Sequence, residues 1–286
     1  IATFNPTFFG SLPLGWLPAA YTIGEIGIWA FKVILGMFAV SWYHDSSKAQ
    51  IEEIYMACPE GDGRTELLVQ RGGTNLLAAL LYFAVFSSRL DLSGSWLVTA
   101  YGGEMDAETL RSQLGVSNLS YILETGLFAI TLAPPINMLF AVGEEAGWRG
   151  YMMPQLKECF GLLNGRLLGG VIWGVWHWPI MLLTGYEYGT NYLGAPVLGL
   201  VVWCVVCFAL NTLLDWLYEK TGCIWVSAIA HGAFNAVAAL FTVLTYPADA
   251  YYNVLGPTPI GLIGMLPMLA AAVWLTLRQV KQEEMN

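Results

Sequence analysis

The sequence predicts an all-α polytopic membrane protein. Three observations carry that expectation: the scarcity of charge, the length of the apolar runs, and the places where proline interrupts them. Charged residues make up 12% of the 286-residue chain and hydrophobic ones 56%, with a mean hydropathy of +0.57. A water-soluble domain carries about 25% charged residues. Half that share, arranged in long apolar runs, means that lipid is the solvent for most of the chain. From residue 119 onward the apolar runs are 119–133, 136–158, 166–184, 192–214, 222–245 and 256–277. Most approach the ~20 residues that cross ~30 Å of hydrocarbon. Such lengths exclude barrel strands, and the helix is then the remaining way to satisfy a backbone in lipid. The whole chain, 1–286, is expected to form one membrane-embedded domain.

The elements follow in order. Residues 6–43 are apolar but interrupted by Pro6, Pro13 and Pro18, which predicts an interfacial piece and then a spanning helix near 19–43. Residues 44–73 are polar and hold the turn signals Cys58-Pro59 and Gly61-Asp62-Gly63, so they form an extramembrane loop. The next apolar stretch, 74–103, is split by Arg89 and Asp91, and reads either as two short spans or as one span with a re-entrant piece. Pro134-Pro135 separates 119–133 from 136–158, because proline cannot continue the helical ladder.

Charge patterning adds an orientation. Lys157 and Arg166 flank one connection, Lys220 sits in another, and Arg278 and Lys281 follow the last run, whereas 185–191 and 246–255 hold no Lys or Arg. That alternation predicts a multi-pass protein of six or so spans with a cytoplasmic C-terminus. A net charge of −9 leaves no basic patch for phosphates, which argues against a nucleic-acid partner. The cysteines are odd in number (Cys58, Cys159, Cys204, Cys207 and Cys223), without a paired CxxC, and read as small apolar packing residues.

The informative residues are the ionisable ones inside the later runs. Each costs roughly 2.5–3.5 kcal/mol on insertion scales and is a functional hypothesis by default. Glu144, Glu145 and Arg149 lie in 136–158, His177 in 166–184, and His231 with Asn235 in 222–245. Counted from the basic residue at the end of its run, Glu144 lies about 20 Å in, and His177 and His231 about 17 Å, at 1.5 Å per residue. Three helices thus place an acid or a histidine at similar height. Glu145 and Arg149 are i,i+4 and can pair, while Glu144 points about 100° away. His231 and Asn235 are also i,i+4 and share a face. Taken one at a time, such groups are ordinary polar glue between helices. As a set at matched depth they support chemistry.

A carboxylate beside a neutral histidine can hold and deprotonate a water. A second histidine and an asparagine can donate to a developing oxyanion. Base, water and oxyanion donors make a peptide hydrolase without a covalent nucleophile. Other intramembrane protease chemistries lack their residues here: there is no G-x-S-G, no pair of mid-membrane aspartates (Asp215 lies at a helix end), and no H-E-x-x-H. Ser227, i,i+4 from His231, reads as a packing or back-bonding residue. Two alternatives stay open. Glu144, His177 and His231 could ligate zinc or iron in a metal-dependent membrane hydrolase, or the polar set could be a relay in a transporter, which inverted repeats and broken helices would favour.

At these residues the sequence resembles the CAAX-processing and bacteriocin-processing protease family, which includes the Ras-converting prenyl endopeptidases. The family's E-E-x-x-x-R motif matches Glu144-Glu145-Ala-Gly-Trp-Arg149, within a prokaryotic-looking GEEAGWRGYMMPQL. Its F-x-x-x-H motif is met with Trp for Phe, as Trp173-Gly-Val-Trp-His177, and its H-x-x-x-N motif as His231-Gly-Ala-Phe-Asn235. The resemblance covers about 136–240. It implies a bundle of about eight transmembrane helices with a cavity open to lipid and cytoplasm. It also implies that Glu144 activates water with help from His177, that His231 and Asn235 form the oxyanion hole, and that Glu145 and Arg149 support the site, with Trp173 beside them. The implied partners are membrane lipid and a prenylated or hydrophobic peptide; neither a cofactor nor a metal is expected.

Overall fold

The computed structural model describes residues 75–103 and 105–283. The spanning helix expected near 19–43 and the polar loop 44–73 lie outside the described residues. Within them the regular secondary structure is helical, apart from one isolated pairing of Leu90 with Thr245. The helices are α1 (Asn75–Val85), α2 (Ser95–Ala100), α3 (Ala107–Leu114), α4 (Asn118–Thr131), α5 (Ala133–Gly147), α6 (Met153–Thr184), α7 (Val197–Thr221), α8 (Ile224–Val237) and α9 (Leu266–Glu283). A π-helical turn, Trp148–Met152, joins α5 to α6.

Local chemistry sets the boundaries. Asp106 caps α3 by accepting from the Thr109 amide, and Ser117 with Ser120 closes a capping box at α4. Pro134 and Pro135 fall in the first turn of α5, where the missing N–H has no helical partner to lose. The two charges that split 74–103 lie beyond the end of α1 and are both satisfied. Arg89 pairs with Asp249 at 2.8 Å and lies 3.4 Å from the Tyr252 ring centre, while Asp91 is buried and accepts from Ser93 and Ser95.

The helical run Ala133–Thr184 is 52 residues long. Straight, it would extend about 78 Å, more than twice the hydrocarbon thickness. It does not run straight, because Gly161 adopts φ 76°, ψ 171° and turns the chain back. That left-handed backbone is open to glycine at little steric cost. Contacts then step outward in register from the turn. A Cβ on Gly165 would stand 2.9 Å from the Lys157 Cα, Gly169 faces the Met153 sulfur, and the Arg149 guanidinium lies 4.6 Å from the Trp173 ring centre. The apolar runs 136–158 and 166–184 are therefore the two arms of one hairpin.

α7 lies antiparallel on the second arm. Gly170 meets the backbone of Phe208, and a Cβ on Gly174 would stand 2.7 Å from the Cys204 Cα. The Asn211 side chain donates to the Arg166 carbonyl at 3.2 Å, and the Trp178 indole to the Leu200 carbonyl at 3.3 Å. In lipid, helices gain little from hydrophobicity, so close backbone approach at small residues and such cross-helix hydrogen bonds hold the contact. α8 packs on α5 in the same way: a Cβ on Gly232 would stand 2.7 Å from the Met138 amide, and Asn137 donates to the Gly232 carbonyl at 3.3 Å. Ser227 donates to the Leu214 carbonyl on α7, a packing role.

Among the described residues three helical runs are long and apolar enough to cross a membrane, Ala133–Thr184, Val197–Thr221 and Ile224–Leu244, the first of them folded into a hairpin; the expected eight or so spans count the whole chain. Other expectations are corrected. The run 256–277 is not one helix: α9 begins only at Leu266, because Pro257, Pro259, Gly261 and Gly264 keep 253–265 in turns. Arg166 is no loop charge. It is fully buried and donates to Asp215 at 2.8 Å, Glu219 at 2.9 Å and Gln279 at 2.8 Å, while Lys157 reaches Asp215 and Glu219 at 2.7 Å each. A cation taken from water needs such partners, and this network ties α6, α7 and α9 together. Cys223 is disulfide-bonded and is not a plain packing residue; it caps α8 in the turn after Gly222 and stands outside the apolar helix. Cys159, Cys204 and Cys207 carry free thiols.

Gly174→Val should lower the thermal unfolding midpoint in detergent, at a cost of at least the ~1–3 kcal/mol of core overpacking. Gly147→Ala, where an added Cβ meets nothing within 4 Å, should leave that midpoint unchanged.

Candidate active site

The last turn of α5 carries Glu144 and Glu145, and the π-helical turn that follows carries Arg149. Glu145 and Arg149 are fully buried and paired, with Arg149 Nη1 donating to Glu145 Oε1 at 3.0 Å. The same oxygen lies 2.8 Å from His231 Nδ1 of α8. Glu145 thus joins two helices through one oxygen. The i,i+4 spacing foretells the Arg149 pair. The His231 bond is not foretold, because its partner lies 86 residues away on another helix.

Glu144, one residue earlier, looks elsewhere. It is half-buried, and its Oε2 accepts from the Trp173 indole N–H at 3.1 Å. Trp173 sits on the second arm of the hairpin at the level where the Gly161 turn returns it to α5. It is the largest fully buried side chain among the described residues. Its ring lies edge to face with His231, 5.2 Å between centres, and beneath Arg149 at 4.6 Å. Its carbonyl lies 2.8 Å from His177 Nδ1. A carbonyl only accepts, so Nδ1 of His177 carries the hydrogen and Nε2 is the nitrogen that a neutral ring offers as acceptor. The His177 ring is held edge-on by Trp176 at 4.8 Å and Trp203 at 5.2 Å, which restrict its rotation.

Asn235 stands one helical turn beyond His231 and is exposed to a cavity of about 410 Å³, shared with Asn137, Trp203, Phe234 and Glu187. His231 itself is buried. The structure therefore brings Glu144, Glu145, Arg149, His177 and His231 to one place around Trp173, and sets Asn235 on the wall of the adjoining cavity. Among the described residues, no three His, Cys, Asp or Glu side chains converge as a metal would require. Sequence reasoning missed the indole as the meeting point, and missed Asn137, Trp203 and Glu187 on the cavity wall. Apolar helices and tight loops are full of such residues, and no spacing singles them out.

The two neighbouring acids should differ in stability. Glu145→Gln removes the charge between Arg149 and His231 and leaves a buried guanidinium unpaired, at a cost of about 3–5 kcal/mol. Glu144→Gln keeps an oxygen for the Trp173 indole and should cost under about 1 kcal/mol. Thermal unfolding of both variants in the same detergent measures the difference.

Residues 124–237 match the family model described as type II CAAX prenyl endopeptidase Rce1-like. The chain is also 36% identical over 52 residues to CAAX prenyl protease 2 of Methanococcus maripaludis, a match that covers 18% of this chain and 19% of that protein. No solved structure matches. The segment that holds every residue of the site, from Glu144 to Asn235, is thus a match to the type II CAAX prenyl endopeptidase Rce1-like family.

Proposed function

We propose that the protein is an intramembrane glutamic endopeptidase that cuts a peptide bond near the C-terminus of a prenylated CaaX-type protein or peptide. The observation that carries this reading is the convergence of Glu144, His177 and His231, from three packed helical segments, on the single indole-bearing residue Trp173. The family match over 124–237 supports the substrate class.

In this reading the Trp173 N–H holds one oxygen of Glu144, and the other oxygen receives a proton from water while that water attacks the peptide carbonyl. His177, fixed through Nδ1, helps to orient the water. The carbonyl oxygen becomes an oxyanion that accepts from the Asn235 amide and from His231. Because His231 Nδ1 is committed to Glu145, its donation from Nε2 requires the imidazolium, whose charge the Glu145 carboxylate faces. The proton held by Glu144 then passes to the leaving nitrogen, the C–N bond breaks, and a new carboxyl and a new amine remain. No metal takes part. The prenyl chain docks in lipid, where each buried CH₂ contributes about 0.8 kcal/mol. A cytoplasmic C-terminus goes with this reading, favoured by the basic residues Arg278 and Lys281.

Incubation of the purified protein with farnesylated and unfarnesylated CaaX peptides, with products read by mass, tests the reading. Hydrolysis should persist in strong chelator. Glu144→Gln should abolish it, and normal turnover by that variant would refute the general-base role. Asn235→Ala should lower kcat by about 10²–10³-fold, the size of one oxyanion donor.

A further inference from the structure

The loop between α6 and α7 places a second carboxyl on the cavity that Asn235 faces. Glu187 lines that cavity with Asn235, Asn137 and Trp203. Alone among the described non-glycine residues it has a positive φ, 74°, in the left-handed region that side chains other than Asn and Asp rarely adopt. Neighbours hold the loop in that shape. The buried Tyr188 donates to the Ile260 carbonyl, the Gly189 amide bonds the Gly185 carbonyl at 2.8 Å, and the Leu193 amide bonds the Tyr251 carbonyl at 2.8 Å. The carboxyl is therefore carried on a fixed support. Tyr186, next to it on the cavity wall, has its hydroxyl pushed up first by the Glu187 charge, then by burial and by Glu144, so one tyrosine lies within electrostatic reach of both carboxyls. Among the described residues that line the cavity there is no Lys or Arg.

We propose that Glu187 is a specificity-determining residue of this cavity and that it selects peptides carrying a cationic side chain, lysine or arginine, beside the bond that is cut. The proposal rests on the protease reading above. A carboxylate withdrawn from water is matched by a cation or by hydrogen-bond donors. Here the Tyr186 side chain stands beside the carboxyl on the cavity wall, and the substrate supplies the charge. Burial pushes the Glu187 carboxyl up to about 7, against the pull of the neighbouring Tyr186 hydroxyl. Selection is then present above that pH, where the group is ionised, and is lost below it. The other titratable groups within its reach are Tyr186 and Tyr188 on its own loop and Cys207 on α7. The facing walls present Asn235 from α8 and Asn253 and Thr258 from the loop before α9, none of which titrates.

The test compares matched farnesylated peptides with Lys, Gln or Glu at each of three positions on either side of the cut. At pH 8 the wild type should show kcat/KM about fivefold higher for a Lys peptide than for its Gln counterpart at one position or more, the size of a partly exposed ion pair. The ratio should fall toward one at pH 6. Glu187→Gln should remove the ratio at both pH values, and Glu187→Lys should invert it in favour of the Glu peptide. A merely structural role for Glu187 would not move the preference between charges in this way. A wild-type ratio of one at every position, or a preference unchanged in Glu187→Lys, overturns the proposal. Binding of the same labelled peptides to protein carrying Glu144→Gln, read by fluorescence anisotropy, separates the two failures. Equal Kd for Lys and Glu peptides sinks the charge selection. A charge-dependent Kd that Glu187→Lys inverts, with no hydrolysis by the wild type, sinks the protease reading and leaves the selection standing.

Discussion

Between Met153 and Gly169 the chain meets itself across a single backbone reversal, and the site inherits its register from that meeting. Gly161 can take φ 76°, so the two arms of α6 run back against each other with Lys157 beside Gly165 and Met153 beside Gly169. Carried one turn further from the bend, the same register sets Arg149 over the Trp173 ring and brings the indole N–H to Glu144. A slip of one residue would rotate the second arm by about 100° and take both Trp173 and His177 away from α5. Small residues preserve that geometry from the other side. Gly170 and Gly174 let α7 lie against the second arm, and Gly232 lets α8 lie against α5, so the backbones carrying the polar side chains approach closely in a solvent that gives helices little reason to associate.

The polar groups form two separate groups at two heights. At one end of α6, Lys157 and Arg166 face Asp215 and Glu219, a balanced network that costs little net charge and fastens α6, α7 and α9. Deeper, Glu145 stands between Arg149 and His231 while Glu144 accepts from the Trp173 indole. Two adjacent carboxyls of identical chemistry are thereby assigned different work. The one held by a cation and a histidine ties α5 to α8 and orients a ring. The one that meets a neutral N–H is the base of the proposed reaction.

The aromatic side chains act as a frame more than as core filler. Trp173 meets both histidines and the arginine, and Trp176 and Trp203 grip His177 edge-on. Stiff aromatic walls with few rotamers hold the imidazole within a narrow range of orientations. The family motif that the chain otherwise matches has phenylalanine where Trp173 stands. The indole fills that place and also supplies a donor, which phenylalanine lacks, and the donor is spent on Glu144.

Much of this was legible in the sequence for plain reasons. Lipid as solvent follows from composition, helices from run length, and the Glu145–Arg149 pair and the shared face of His231 and Asn235 from the period of 3.6. The helix of 256–277 was misread because hydropathy alone outweighed Pro257 and Pro259, and Arg166 was misread as a loop charge because its acids lie 49 and 53 residues away. The bond between Glu145 and His231, the indole beneath both motifs, and the carboxyl of Glu187 facing Asn235 across a cavity depend on which helices touch and at what rotation. Local periodicity determines the face a residue occupies on its own helix. Only packing between helices decides what that face meets, because partners distant in the chain leave no spacing to read.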